Sequence, residues 1–394
     1  MKKIVFLFLV SLNCFSQQNS NTIRTEFMLG KSIPSYKVFT GKNPQMAIGL
    51  SYAHKNKDNS VAWQSILNNP TTGISLYYTN YGTAIKGSSI SVIPFIEFHP
   101  FNNHKWSSKF GMGASYFDTK YHLINNPKNK AISSDFTWAI QGIIYYDTQL
   151  KNNFDLRFGL GVFHHSNGHL SIPNEGLNAA LLSVSTSFNL KTKPKINSPD
   201  FNKSKIKKFE NRFYSIRFGN GLQAFVTEDS LLKNVYTVSL NAGTYYKEII
   251  KLNVGLGYRF YQHYYDYIKD NKTEPYIENP SLNASNIYLS VGAEVMLGYI
   301  GIDWESGVNL HKPFYRKHYT LQKTQNESKY KQKNLILGRL GLKLYAINTK
   351  KKPKNNFYLA AHINSNFGQA DFSEISIGFV HRTSKKSKLP FRAF

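Results

Sequence analysis

The chain is 394 residues long, carries 49 Lys and Arg against 23 Asp and Glu for a formal net charge of +26, and has a mean hydropathy of −0.39. Beyond its first residues no segment approaches the run of about 20 apolar residues that a membrane helix needs. Its one cysteine, Cys14, lies in the leading segment, so the remainder has neither a disulfide nor a cysteine metal site. The positive balance suits a dense anionic surface such as lipid phosphates, and no zinc-finger, RRM or helix-turn-helix pattern directs it to nucleic acid.

Lys2 and Lys3 precede the apolar run Ile4 to Leu12, and a polar stretch begins after Ser16, which predicts a secretory signal peptide over residues 1–16. The chain then holds 26 Tyr and 28 Phe, with apolar and polar residues in alternation, the habit of outer-membrane β-barrels that hydropathy plots miss. Eight alternating segments are expected near 23–32, 46–54, 73–82, 89–99, 106–117, 135–146, 153–166 and 178–190. They are enough to close the smallest membrane barrel within residues 17–190. With both barrel ends periplasmic, the loops after the odd-numbered segments face outward, including the long stretch 118–134 and the loop after 153–166.

A Lys-rich, Pro-containing stretch over 191–211, with Lys191, Lys193, Lys195, Lys203, Lys205, Lys207 and Lys208, reads as a basic linker. Beyond it the alternation resumes near 212–226, 234–246, 252–262, 286–297, 300–310, 335–346, 356–365 and 373–381. The expected class is therefore all-β: an antiparallel transmembrane β-barrel of about eight strands, followed by a second β-rich, barrel-like half over 212–394. Alternation alone leaves open whether that half closes separately or merges with the first into a larger barrel. His362 and Ser365 echo the motif described next, but three residues apart they fall on opposite faces of a strand and predict no second site.

The chemistry concentrates at His164-His165-Ser166-Asn167-Gly168-His169, followed by Pro173-Asn174-Glu175-Gly176 and Asn178. In strand alternation His164 and Ser166 share a face with Leu156, Phe158, Leu160 and Val162, and Asn178 opens the next apolar face with Ala180, Leu182 and Val184. On a membrane barrel that face meets lipid, so the substrate suggested is itself a lipid. A serine attacks an ester when a base takes its proton, which casts Ser166 as nucleophile and His164 as base. A third group must hold the ring in its working tautomer. Asn178 is the first candidate, and Glu175, the loop's one acid, is the alternative. The side-chain amide of Asn174 and the backbone N–H groups of Asn167-Gly168-His169 are candidates for an oxyanion hole. Plainer readings exist: His-x-Ser as interfacial polar residues, and Asn-Gly and Pro-Asn-x-Gly as turn formers. His164, His165 and His169 have no carboxylate or cysteine at metal-ligand spacing, so no metal is expected, and His165 points into the lumen.

The pattern His164-x-Ser166-Asn167, then Pro173-Asn174-x-Gly176 and a functional position at 178, resembles the signature of the lipid A 3-O-deacylases, the PagL-type acyloxyacyl hydrolases of the outer membrane. The resemblance is strongest over 150–190, extends to the first barrel and does not cover 191–394. It implies Ser166 as nucleophile, His164 as base, and an oxyanion hole made by Asn174 with a backbone donor at His169. It departs at 178, where the family's glutamate is replaced by Asn178. The expected activity is hydrolysis of an ester-linked 3-hydroxyacyl chain of lipid A in the outer membrane, without a cofactor. The alternatives are a non-catalytic pore or scaffold and an outer-membrane phospholipase.

Overall fold

The computed structural model describes residues 20–33, 43–55, 62–67, 69–100, 105–149, 154–190, 209–225, 231–321 and 327–383. The signal peptide expected over 1–16 and residues 191–208 of the expected linker lie outside the described residues.

The first ladder runs β1 (Ser20–Ile33), β2 (Gln45–Lys55), β3 (Thr71–Asn80), β4 (Ser88–Phe98), β5 (Trp106–Phe117), β6 (Phe136–Gln149), β7 (Phe154–Ser166) and β8 (Leu177–Asn189). Consecutive strands pair antiparallel, and β1 pairs with β8 from Thr22 opposite Asn189 to Ile33 opposite Asn178, which closes an eight-stranded barrel. The second ladder runs β9 (Phe209–Gln223), β10 (Lys233–Tyr246), β11 (Ile250–Tyr261), β12 (Ser285–Leu297), β13 (Ile300–His311), β14 (Ile336–Tyr345), β15 (Asn355–Asn366) and β16 (Gln369–Arg382). Pairing of β16 with β9 closes it as a separate barrel, so the two halves do not merge. β9 begins at Phe209, inside the stretch read as linker.

The alternation is inverted relative to a soluble sheet. On β2, Gln45, Ala47 and Ser51 are buried, whereas Met46, Ile48, Leu50 and Tyr52 are exposed. Apolar side chains held outward around a closed ladder form the belt that lipid covers, and strands of this length cross a bilayer when tilted. The lumen is lined with paired polar groups. Glu26 accepts from Tyr77 at 2.7 Å and Tyr145 at 2.6 Å, and Glu97 pairs with Arg24 at 2.8 Å and Arg157 at 3.0 Å. In the second barrel Arg339 bonds Glu305 at 2.6 Å, and Lys343 bonds both Glu294 and Asp303 at 2.9 Å.

Because each ladder has an even number of strands, all loops after odd strands lie at one end. That end carries the motif loop 167–176 and, on the second barrel, α2 (Gln262–Asp270), α3 (Pro280–Asn283), α4 (Tyr315–Leu321) and α5 (Glu327–Leu335). The barrels touch there, with Ala224 N–H donating to His169 C=O at 2.8 Å. They also meet at the opposite end, where Lys350 Nζ sits 5.7 Å from the ring centre of Trp63 in α1 (Ala62–Ile66). Contacts at both ends set the barrels side by side and in parallel.

Candidate active site

The site is built on the β6–β7–β8 wall where it meets the outer rim. His164 stands opposite Asn178 across the β7–β8 ladder, and Ser166 stands opposite Trp138 across β6–β7. Below them on the same outward face, Leu160 and Leu182 are each 64% exposed, an apolar surface that runs from the serine into the lipid belt. His165 points inward, as alternation requires. It is buried, 3.1 Å from Ser115 Oγ and 3.2 Å from Tyr81 Oη.

His164 Nδ1 lies 2.7 Å from Asn178 Oδ1. An amide oxygen only accepts, so the hydrogen of this bond sits on Nδ1. Ser166 Oγ receives two donors, Asn174 Nδ2 at 2.9 Å and the Gly168 N–H at 3.2 Å. Among the described residues no hydrogen bond joins Ser166 Oγ to His164. Catalytic bonds of this kind often tighten only when substrate is bound. The backbone N–H of His169 is engaged by Asn167 Oδ1 at 2.9 Å, which makes Gly168 the backbone donor facing the serine. Glu175 is exposed, and the ring nitrogen it was an alternative partner for is held by Asn178.

The loop that aims these donors is braced on several sides. Asn174 Oδ1 accepts from Asn167 N–H at 3.2 Å, and Asn167 Nδ2 donates to Ser171 C=O at 2.9 Å. The long β5–β6 loop, recognised in the sequence only as external, is a second brace. Lys130 C=O accepts from Glu175 N–H at 3.0 Å, Ala131 C=O from Gly176 N–H at 3.2 Å, and Ser133 Oγ from Asn167 Nδ2 at 3.1 Å. No motif marks Ser133 or Ala131; the one available signal was the length of that loop, from the end of β5 at Phe117 to the start of β6 at Phe136. Gly176 is required on two counts. Its φ is +73°, and a Cβ there would stand 3.3 Å from His164 Cε1. No group of three or more His, Cys, Asp or Glu among the described residues is arranged to hold a metal ion.

Fold and site together define an outer-membrane β-barrel with a serine, a histidine and clustered N–H donors on its lipid-facing wall. Residues 46–187, within the first barrel, match the family described as lipid A 3-O-deacylase (PagL), and the location this supports is the outer membrane. The match ends before the second barrel begins. The crystal structure of the outer membrane enzyme PagL aligns at 19% identity with a TM-score of 0.29, over 41% of this chain and 97% of that one. The β domain of the Bordetella autotransporter BrkA aligns at 9% identity and TM-score 0.21, over 93% of this chain and 99% of that one. The FrpB iron transporter from Neisseria meningitidis aligns at 10% identity and TM-score 0.21, over 93% of this chain and 69% of its own. No curated protein matches the chain.

Proposed function

We propose that the first barrel is a serine esterase that removes an ester-linked 3-hydroxyacyl chain from lipid A. The observation that carries this reading is the convergence at Ser166 Oγ. It lies on the outward face of β7, itself buried beneath the loop at the edge of the lipid-facing apolar surface; two N–H donors reach it, and a histidine oriented by Asn178 shares its face. In this scheme Ser166 Oγ attacks the ester carbonyl while His164 Nε2 takes its proton. The carbonyl oxygen becomes an oxyanion facing Asn174 Nδ2 and Gly168 N–H. Collapse expels the sugar hydroxyl, which regains the proton from His164. Water, activated by the same ring, then releases the 3-hydroxy fatty acid from the serine. The leaving chain lies along Val162, Leu160 and Leu182, and the exposed Lys128 and Lys130 of the bracing loop suit the anionic phosphates of lipid A.

The test is mass spectrometry of lipid A from a Gram-negative host that expresses the wild type or Ser166→Ala. Loss of one hydroxyacyl mass with the wild type alone is the expected result. Unchanged lipid A with a folded protein, accompanied by free fatty acid and lysophospholipid, would reassign the site to glycerophospholipid. No ester cleaved in either lipid would make the barrel non-catalytic.

A further inference from the structure

Gly168 and His169 both hold left-handed backbone, at φ +63° and +68°, and the Gly168 N–H points at Ser166 Oγ from within this turn. Glycine takes that conformation freely, but a histidine there needs outside support. The second barrel provides contacts on both peptides. Ser373, on the outward face of β16, accepts from the Trp138 indole N–H at 3.1 Å and donates through Oγ to Gly168 C=O at 3.3 Å. Ala224, just past β9, donates its N–H to His169 C=O at 2.8 Å. Trp138 is the residue paired with Ser166 across the ladder, so Ser373 bonds both to the neighbour of the nucleophile and to its donor turn.

The fit is close as well as polar. A Cβ on Gly168 would stand 2.1 Å from Ser373 Oγ, so the turn and β16 meet without room for a side chain. The His169 side chain is buried and feels Asp371 of the second barrel electrostatically. Ordinary lateral contact between barrels would bury lipid-facing apolar residues. Here the polar links gather on the donor turn instead.

We propose that the second barrel is a positioning element of the serine site, in which Ser373 and Ala224 fix the Gly168–His169 turn so that the Gly168 N–H faces the developing oxyanion. This rests on the esterase reading given above. Ser373 and Ala224 touch no reacting atom; they act through the turn.

The experiment uses the full chain with Ser373→Ala and Ser373→Thr, with folding checked by heat-modifiable gel mobility. Initial rates on lipopolysaccharide give kcat and KM, and hydrogen exchange reports the amides of residues 167–170. Ser373→Ala is expected to lower kcat about 10-fold with KM changed less than about 2-fold, and Ser373→Thr, which keeps the hydroxyl, to restore most of it. Exchange over 167–170 is expected to rise about 10-fold in Ser373→Ala only. A folded Ser373→Ala with wild-type kcat and wild-type exchange overturns the proposal. If the wild type itself cleaves no ester, the esterase reading fails, and exchange alone decides whether the rim orders the turn.

Discussion

His164 Nδ1 and Asn178 Oδ1 are 2.7 Å apart because β7 and β8 place the two residues directly opposite each other. The orienting group of the histidine is therefore fixed by ladder register rather than by a mobile loop. Asn178→Ala, which removes the acceptor, should lower kcat by about 10- to 100-fold with little change in KM. Asn178→Glu places a carboxylate where the imidazolium forms and should match or exceed the wild type. Steady-state kinetics on both variants check this, and a sharp loss in Asn178→Glu would show that the amide has another task.

Asn174 serves two partners, donating to Ser166 Oγ at 2.9 Å and accepting from Asn167 N–H at 3.2 Å. Asn174→Asp keeps the acceptor and removes the donor, whereas Asn174→Ala removes both. If the donor serves the oxyanion, each should lower kcat by about 100- to 1,000-fold. Near-normal turnover in Asn174→Asp would reduce the residue to a loop brace.

Gly176→Ala should act on His164 rather than on Ser166. The methyl would sit 3.3 Å from the ring at a backbone φ of +73°, a conformation that costs an L-residue about 1–2 kcal/mol. The expected outcome is a folded barrel with kcat down about 10-fold. A fluorophosphonate probe should label Ser166 more slowly in the variant; unchanged labelling would argue against displacement of the ring.

Acid should loosen the rim before it unfolds either barrel. Burial holds His318 at about 3, His263 at about 4, and His169 below its ordinary 6.5. Around them Asp371 and Asp266 favour the protonated form, while Lys312 and Lys233 oppose it. Depressed values mean that the separated groups bind protons that the packed groups refuse. The packing of this rim is thus at full strength above about pH 6.5 and weakens as pH falls toward 4. Hydrogen exchange over 167–170 should rise through that window. His318→Phe, which keeps a ring beside Phe225 and Tyr264, should flatten the rise. An identical slope in that variant would remove His318 from the account.

Much of the architecture was legible because lipid and lumen impose a period of two on every strand. The segment expected at 106–117 is Trp106–Phe117, and that expected at 153–166 is Phe154–Ser166. The shared face of His164, Ser166 and Asn178 follows from the same period together with the hairpin register. Closure of the first eight strands was expected; closure of the second half as its own barrel was not legible. Whether β9 pairs with β16 or joins the first ladder is decided between strands far apart in sequence, and no local pattern encodes it. Ser373 was out of reach for the same reason, lying 235 positions from Trp138 and 205 from Gly168. The helix over Gln262–Asp270 did leave a trace, since Tyr264 and Ile268 are buried at helical spacing between two alternating runs.

Residues 190–208 are all the chain that separates the end of β8 from the start of β9. A serine site completed by a free neighbour would depend on how crowded the membrane is, because partners diffusing in a bilayer dilute as expression falls. A tether this short keeps the rim at an effective concentration on the order of millimolar. Every candidate serine site therefore arrives with the second barrel's rim in a one-to-one ratio, and the amount of protein made sets how many sites exist without changing that ratio.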